Sequence, residues 1–441
     1  MAWNRRSFMK GTATGAAAVF AGPFGIPALH GADSGKKYRI CVIGTGWWGK
    51  NIIHEAIASG RVVITGVCDV DRNMRQDAAK QIEEKTGNRP KDYNDFRDML
   101  EAEKPEIVAI ATPDHWHPLQ TIAAVRAGAH VFCEKPVGHT ILEGRAMVKA
   151  ARECDRKVEI DTHRRFGAHY IAARNFIREG KLGKVAAARV FVHYSSAHFG
   201  PADGSLAPDI DPPEYLDWDL YCGPSRLRPY NAYIHPGKFR AYSDFAGGQI
   251  TDWGVHWFDL MRWTFDEVYP TYVSSVGGQR IRHDNPDTPD IQFVQYHFDS
   301  FDAEWEHRYF AGNTAERHNV GIYFYGTKGT VHMGWEDGWT FYPADSSTPY
   351  HENPTNLHTR DQHNIPEIWA DFIDSIENDR LPLCDVEEGH RSTTIGLLGN
   401  LSLKIGRGIH WDGEKEICIG DDEATAMLRR TYREPWVYPD V

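Results

Sequence analysis

The sequence predicts a two-domain α/β protein: a doubly wound parallel sheet first, then an α/β domain built on a large, mostly antiparallel open sheet. Three observations predict it. Between Tyr38 and Asp161, short β-rich runs alternate with amphipathic helical runs, the rhythm of βαβ units. A glycine-rich turn, Gly44-Thr45-Gly46-Trp47-Trp48-Gly49, stands between the first such strand and the first helix. After about residue 165 the texture changes to longer alternating strands, which cover a core with one face and leave the other open to a partner or subunit.

Taken in order, residues 1–32 read as an address, 37–161 as the first domain, 162–420 as the second and 421–441 as a tail. The paired Arg5-Arg6, then Ser7-Phe8-Met9-Lys10 and an uncharged Ala/Gly-rich stretch to Leu29, match a twin-arginine export signal. Gly22, Pro23, Gly25 and Pro27 interrupt that stretch and argue against a membrane anchor. The expectation is a periplasmic protein exported already folded by the twin-arginine machinery. In the first domain, apolar runs at 39–43, 62–68, 107–111, 130–133 and 158–160 read as strands. In the second, a helix at 170–179 precedes strands at 188–195, 271–275, 292–298, 303–309, 320–325 and 330–335. Gly326-Thr327-Lys328-Gly329 reads as a hairpin turn. Residues 201–213 read as a loop, and helices return at 367–377 and 387–405.

Composition narrows the function. Of 441 residues, 41% are hydrophobic and 25% charged, which excludes a disordered chain. The net charge of −12, with no Lys/Arg run, excludes a nucleic-acid binder. Seven cysteines without a C-x-x-C pair form neither a zinc nor a disulfide framework. Folding in the reducing cytoplasm before export accounts for free cysteines in an exported protein.

The glycine turn carries the first chemistry. Gly44 permits the tight turn, Gly46 lets backbone N–H groups approach a pyrophosphate, and Gly49 allows close helix–strand packing. Trp47 and Trp48 lie inside the same turn. Asp69 ends the second strand, twenty residues past Gly49, placed to accept from ribose hydroxyls and repel a 2′-phosphate. A Rossmann domain binding NAD is expected, with NADP kept open by the nearby Arg72 and Arg75.

Two further turns follow strand ends: Thr112-Pro113-Asp114-His115-Trp116-His117 and Glu134-Lys135-Pro136. With the glycine turn and Gly247-Gly248-x3-Asp252-x-Gly254-x-His256-x2-Asp259, they resemble the Gfo/Idh/MocA family of glucose-fructose oxidoreductase and inositol dehydrogenase. The resemblance covers about residues 38–410 and implies an NAD(P)-dependent oxidoreductase of sugars, cyclitols or glycosides. It implies that Lys135 stands beside the nicotinamide, shaped by Glu134 and Pro136, and works with Asp252 and His256. The residue chemistry agrees. Oxidising a carbinol needs a base for the O–H proton, which His256 suits, and a donor for the developing alkoxide, which Lys135 suits. A helix would put Asp252, His256 and Asp259 on one face. The plainer readings are Asp252 as a helix cap, His256 as a core histidine, and Asp259 as structural, paired with Arg262.

Thr112, Pro113 and His117 are further cofactor candidates, although His117 reads equally well as a helix-start residue. Arg164, Arg165, Lys238 and Arg240 are candidates for holding a substrate, with an interdomain salt bridge as the alternative for the first two. Asp161-x-His163 and His115-x-His117 could each give a metal two ligands. No third and fourth stand at diagnostic spacing, so no metal is expected. The alternative functions are a redox-neutral glycosidase, lyase or epimerase working through a transient keto-sugar, and a non-catalytic sugar-binding protein. A dimer or tetramer is expected by analogy.

Overall fold

A computed structural model of the chain describes residues 35–193, 208–281, 285–309, 316–353 and 365–441. The expected export segment and the first residues of the expected loop at 201–213 lie outside them. The first domain alternates β1 (Tyr38–Ile43), α1 (Trp47–Ala58), β2 (Val62–Cys68), α2 (Arg72–Thr86), β3 (Lys91–Tyr93) and α3 (Phe96–Glu103). It continues through β4 (Ile107–Ile110), α4 (His117–Arg126), β5 (His130–Cys133), α5 (Ile141–Glu153) and β6 (Val158–Ile160). The six strands are parallel in the order β3-β2-β1-β4-β5-β6. Every residue of β4 is buried, as a strand covered on both faces requires. The chain reverses direction across the sheet between β1 and β4, and this opens a crevice at their carboxyl ends. The edge strand β3 was not expected, because Lys-Asp-Tyr is too short and polar to read as a strand.

Beyond α6 (Ala168–Arg178) comes β7 (Val185–His193), then a small ribbon of β8 (Asp209–Ile210) and β9 (Tyr230–Asn231) flanking α7 (Trp218–Cys222). Helix α8 (Val255–Phe265) precedes β10 (Tyr272–Gly278), β11 (Ile291–His297), β12 (Asp302–Arg308) and β13 (Val320–Gly326). Then come β14 (Gly329–Gly334), β15 (Trp339–Pro343), β16 (Tyr350–Glu352), α9 (Ile365–Glu377), α10 (Val386–Ile405), β17 (Ile409–Asp412), β18 (Ile417–Cys418) and α11 (Asp422–Ala426). The large sheet runs β16-β15-β14-β13-β7-β12-β11-β10-β17-β18, with only the β7–β12 pair parallel. The expected hairpin closes β13 on β14 with Gly326 opposite Gly329.

Burial alternates along β11, and the inner residues Val294 and Tyr296 meet Phe258 of α8 and Leu398 of α10 in one core. The outer face carries Val276, Phe293 and Tyr325 exposed. Two segments of the second domain return to the first. Asp217 N–H donates to Val70 O at 3.0 Å, and Arg72 N–H donates to Tyr215 O at 2.9 Å, which pins residues 215–217 on the β2–α2 turn. In the tail, Arg430 Nε and Tyr432 Oη donate to the buried Glu143 Oε1 at 2.8 and 2.6 Å, and Trp436 packs edge-on against Trp116. Glu143 also caps α5, so one carboxylate serves a helix end and the tail together. All seven cysteines are free, and six of them are buried.

Candidate active site

A cleft of about 1100 Å³, counted out to its mouth, lies over the carboxyl ends of β1, β2, β4 and β5. The first domain lines it with Gly44, Gly46, Trp47, Trp48, Asp69, Thr112, Pro113, Glu134 and Lys135, and the second with Leu220, Tyr221, His235, Phe239 and Arg240. The residues fit a dinucleotide. A Cβ on Gly44 would lie 2.6 Å from the Ala111 backbone, and one on Gly49 would lie 2.0 Å from Gly44 O, so both glycines are needed to close the turn. A Cβ on Gly46 would meet nothing within 4 Å, so a side chain there would occupy the cleft itself. Gly46 also caps α1 with no side-chain hydrogen bond, and the first turn of α1 holds no acid. The helix N-terminus is therefore left to an anion.

Asp69 lines the cleft, but its carboxylate already holds the glycine turn. Its Oδ2 accepts from Thr45 N–H at 2.7 Å and Thr45 Oγ1 at 3.0 Å, and its Oδ1 accepts from Asp71 N–H. Burial raises its pKa, opposed by the Asp71 and Thr45 N–H groups. Arg75 turns away to Asp92 and to the carbonyl of Asp69, and neither Arg72 nor Arg75 lines the cleft.

At the inner end, Lys135 is buried at the tip of β5. Its Nζ donates to Asp252 Oδ1 at 2.6 Å and to Asp252 O at 2.9 Å. Arg240 Nε lies 2.9 Å from the same Oδ1, so two cations share one carboxylate. Burial pushes the neighbouring Asp114 up to about 7, against the pull of Arg240 and Lys135. The sequence reading passed over Asp114 inside its motif; only the packing of Arg240 and Lys135 around it marks it out.

Residues 250–254 wind as a π turn before α8 begins, a wider turn than an α-helix. This breaks the single face expected for Asp252, His256 and Asp259. Asp252 meets Lys135, and the His256 ring packs edge-on against His163 and Trp335 at 5.3 and 5.2 Å. Asp259 turns instead to Arg165, whose Nε and Nη2 both donate to it at 2.7 Å. Arg262, its expected partner, donates to Ser392 Oγ and the Glu388 carbonyl.

Two other expectations are corrected. Arg165, expected to hold a substrate, is 2% exposed and pairs with Asp259. His117 does not line the cleft; its two ring nitrogens lie 2.7 Å from Pro136 O and 2.8 Å from Thr112 O, tying the two cofactor turns together. Arg164 lies buried with its guanidinium 3.3 Å over Trp335, the wall behind His256. Lys238 sits half-buried on the turn that carries Arg240, and burial lowers its pKa. The sequence also missed that Glu134 and Asp161 are hydrogen-bonded partners, because nothing in either motif signals the adjacency of β5 and β6.

Among the described residues, His318, His332 and Asp337 form a cluster whose ligand atoms lie within 4.8 Å of one another. His318 Nδ1 pairs with Asp337 at 2.9 Å, and the two imidazoles stack with ring centroids 3.7 Å apart.

Comparison with known proteins places this geometry. An oxidoreductase-family model described as an NAD-binding Rossmann fold matches residues 38–162, and its C-terminal alpha/beta domain model matches residues 201–438. The D-glucoside 3-dehydrogenase of Escherichia coli (strain K12) is 30% identical over 159 residues, 36% of this chain and 44% of that protein. Glycosyl hydrolase family 109 protein 1 of Akkermansia muciniphila is 26% identical over 170 residues, 38% of this chain and 34% of that protein. The chain matches 26% of the length of the 1,5-anhydro-D-fructose reductase of Ensifer adhaerens and 57% of that of the rhizopine catabolism protein MocA of Rhizobium meliloti, so it spans only part of these curated relatives. The structure of levoglucosan dehydrogenase in complex with NADH and levoglucosan superposes with a TM-score of 0.65 at 19% identity, covering 85% of this chain and 99% of that one. A glycine turn built for a pyrophosphate, a Lys-Asp pair at the inner end of its cleft, and two family models that together span most of the sequence lead to one conclusion: the chain belongs to the Gfo/Idh/MocA oxidoreductase family.

Proposed function

We propose that this protein moves a hydride between a nicotinamide and a hydroxyl-bearing carbon of a sugar, cyclitol or glycoside, with NAD preferred to NADP. The observation that carries the reading is the buried Lys135, held at 2.6 Å by Asp252 at the inner end of the dinucleotide cleft. Bound NAD supplies the hydride acceptor or donor. Lys135 donates to the reacting oxygen and stabilises the developing alkoxide. Asp252, neutralised by Lys135 and Arg240, orients that ammonium. His256 takes the hydroxyl proton as general base.

The names of relatives, a D-glucoside 3-dehydrogenase and inositol 2-dehydrogenases among them, support the substrate class. The family 109 relative supports a second reading, a redox-neutral glycosidase in which the hydride returns within one cycle. Purified protein incubated with NAD and a panel of sugars, cyclitols and glycosides separates the two. Accumulating NADH supports the dehydrogenase; glycoside cleavage without it supports the cycle; failure to bind NAD or NADP contradicts both.

Export belongs to the same proposal, with a cofactor carried in tightly bound, and it rests on Arg5-Arg6 ahead of the uncharged stretch. Replacing both with Lys should shift the protein from periplasm to cytoplasm, as read by fractionation; unchanged distribution would contradict it. A dimer or tetramer joined through the exposed Val276, Phe293 and Tyr325 face completes the proposal.

A further inference from the structure

Asp161 and His163 stand next to the residues assigned above to the reaction, with no role in it so far. Asp161 follows β6 directly, and its N–H continues the β5–β6 ladder by donating to Cys133 O at 2.9 Å. It therefore stands beside Glu134, one residue from Lys135. Both carboxyls are buried, and they are hydrogen-bonded to each other. Burial, reinforced by the charge of Asp161, raises Glu134 well above the carboxylate range; burial raises Asp161 too, opposed by its hydrogen bonds to Glu134 and Trp48 and by the charge of Lys135. Trp48 Nε1, from the first turn of α1, donates to Asp161 Oδ2 at 3.2 Å. His163 Nδ1 lies 2.8 Å from Asp161 Oδ1. The His163 ring in turn packs against Trp48 at 6.0 Å and edge-on against His256 at 5.3 Å.

One aspartate thus joins the glycine-turn helix, the Glu-Lys-Pro turn and the two histidines. Trp48 Nε1 donates to Oδ2, and the carboxylate turns Oδ1 to the ring as a second acceptor, an arrangement that calls for the proton of His163 on Nδ1. Nε2 is then the only nitrogen of His163 that gains or loses a proton. The charged groups facing Asp161 are Glu134 and Lys135 from the end of β5 and Arg164 from the turn after β6.

We propose that Asp161 and His163 are positioning residues for His256: Asp161 fixes the His163 tautomer, and the fixed ring sets the orientation and proton affinity of His256. The proposal rests on the reading of His256 as the base. Substituting Asn for Asp161 keeps the shape but lets an amide N–H face the ring, which favours the opposite tautomer. Full-length protein labelled with 15N-histidine, in the presence of NADH, gives the test, with His163→Gln and His256→Gln supplying the assignments. The expected result is a wild-type His163 protonated on Nδ1 across the accessible pH range. Asp161→Asn should reverse that tautomer and move the His256 titration midpoint by about half a pH unit or more. NADH affinity should stay within about threefold, while kcat on any hydroxyl substrate falls by about 10- to 1000-fold.

If Asp161→Asn does not fold, His163→Gln carries the same His256 readout. A wild-type His163 protonated on Nε2, or a His256 midpoint unmoved by both variants, overturns the proposal. If the wild type turns over nothing, the reading of the reaction fails while the spectra still decide this one.

Discussion

At the scale of single residues, the chemistry turns on Lys135. Its side chain faces Asp252 rather than the glycine turn, so Lys135→Ala should cut turnover by about 10³-fold or more while NADH affinity changes less than about tenfold. Steady-state rates with parallel fluorescence titration check this; a large loss of affinity would make Lys135 a cofactor anchor instead. Asp114 offers a pH test. Its pKa rises from 3.8 to about 7 on folding, because burial disfavours the ionised form. A raised acid costs nothing below its unfolded value and costs increasingly as pH climbs toward the folded one. The Tm advantage of Asp114→Asn over wild type should therefore grow between about pH 4 and pH 7. A constant difference would mean that Asp114 is ionised throughout. Lys135, Asp252 and His256 were legible because each sits in a motif of distinctive spacing. Thr45, Asp114 and Asp161 were not, because each draws its role from a partner 24 or more residues away in sequence, Asp69, Arg240 and Glu134 respectively.

At the scale of elements, the glycine turn separates folding from binding. Gly49 fits against Gly44 O with no room for a Cβ, whereas Gly46 opens on the cleft. Gly46→Val should keep the wild-type Tm and lose NADH affinity by about 100-fold or more, whereas Gly49→Val should lower Tm. Equal effects from the two would contradict the assignment. The tail is a second case. Glu143→Ala leaves Arg430 buried without its carboxylate and uncaps α5, so a loss of about 3–5 kcal/mol is expected in denaturant unfolding. Continuous apolar strands such as β4 were easy to read, and so was the hairpin between β13 and β14. The π turn at 250–254 was invisible, since its residues suit an α-helix and only packing selects the wider winding.

At the scale of the whole molecule, two domains meet along the cleft, and each supplies part of its wall. Composition and rhythm revealed the two sheets. They did not reveal that residues 215–217 and the tail fold back onto the first domain, because such contacts depend on single hydrogen bonds rather than on periodicity. The seven free cysteines make a prediction at this scale: reducing agent should leave Tm unchanged, and a drop would reveal a disulfide the account does not contain. The most direct test of the central claim is the reduced-nicotinamide absorbance of wild type and Lys135→Ala, each incubated with NAD and the same panel of sugars, cyclitols and glycosides. A rise with at least one member is expected for wild type and none for the variant at equal NAD occupancy; an equal rise in both would contradict the role of Lys135.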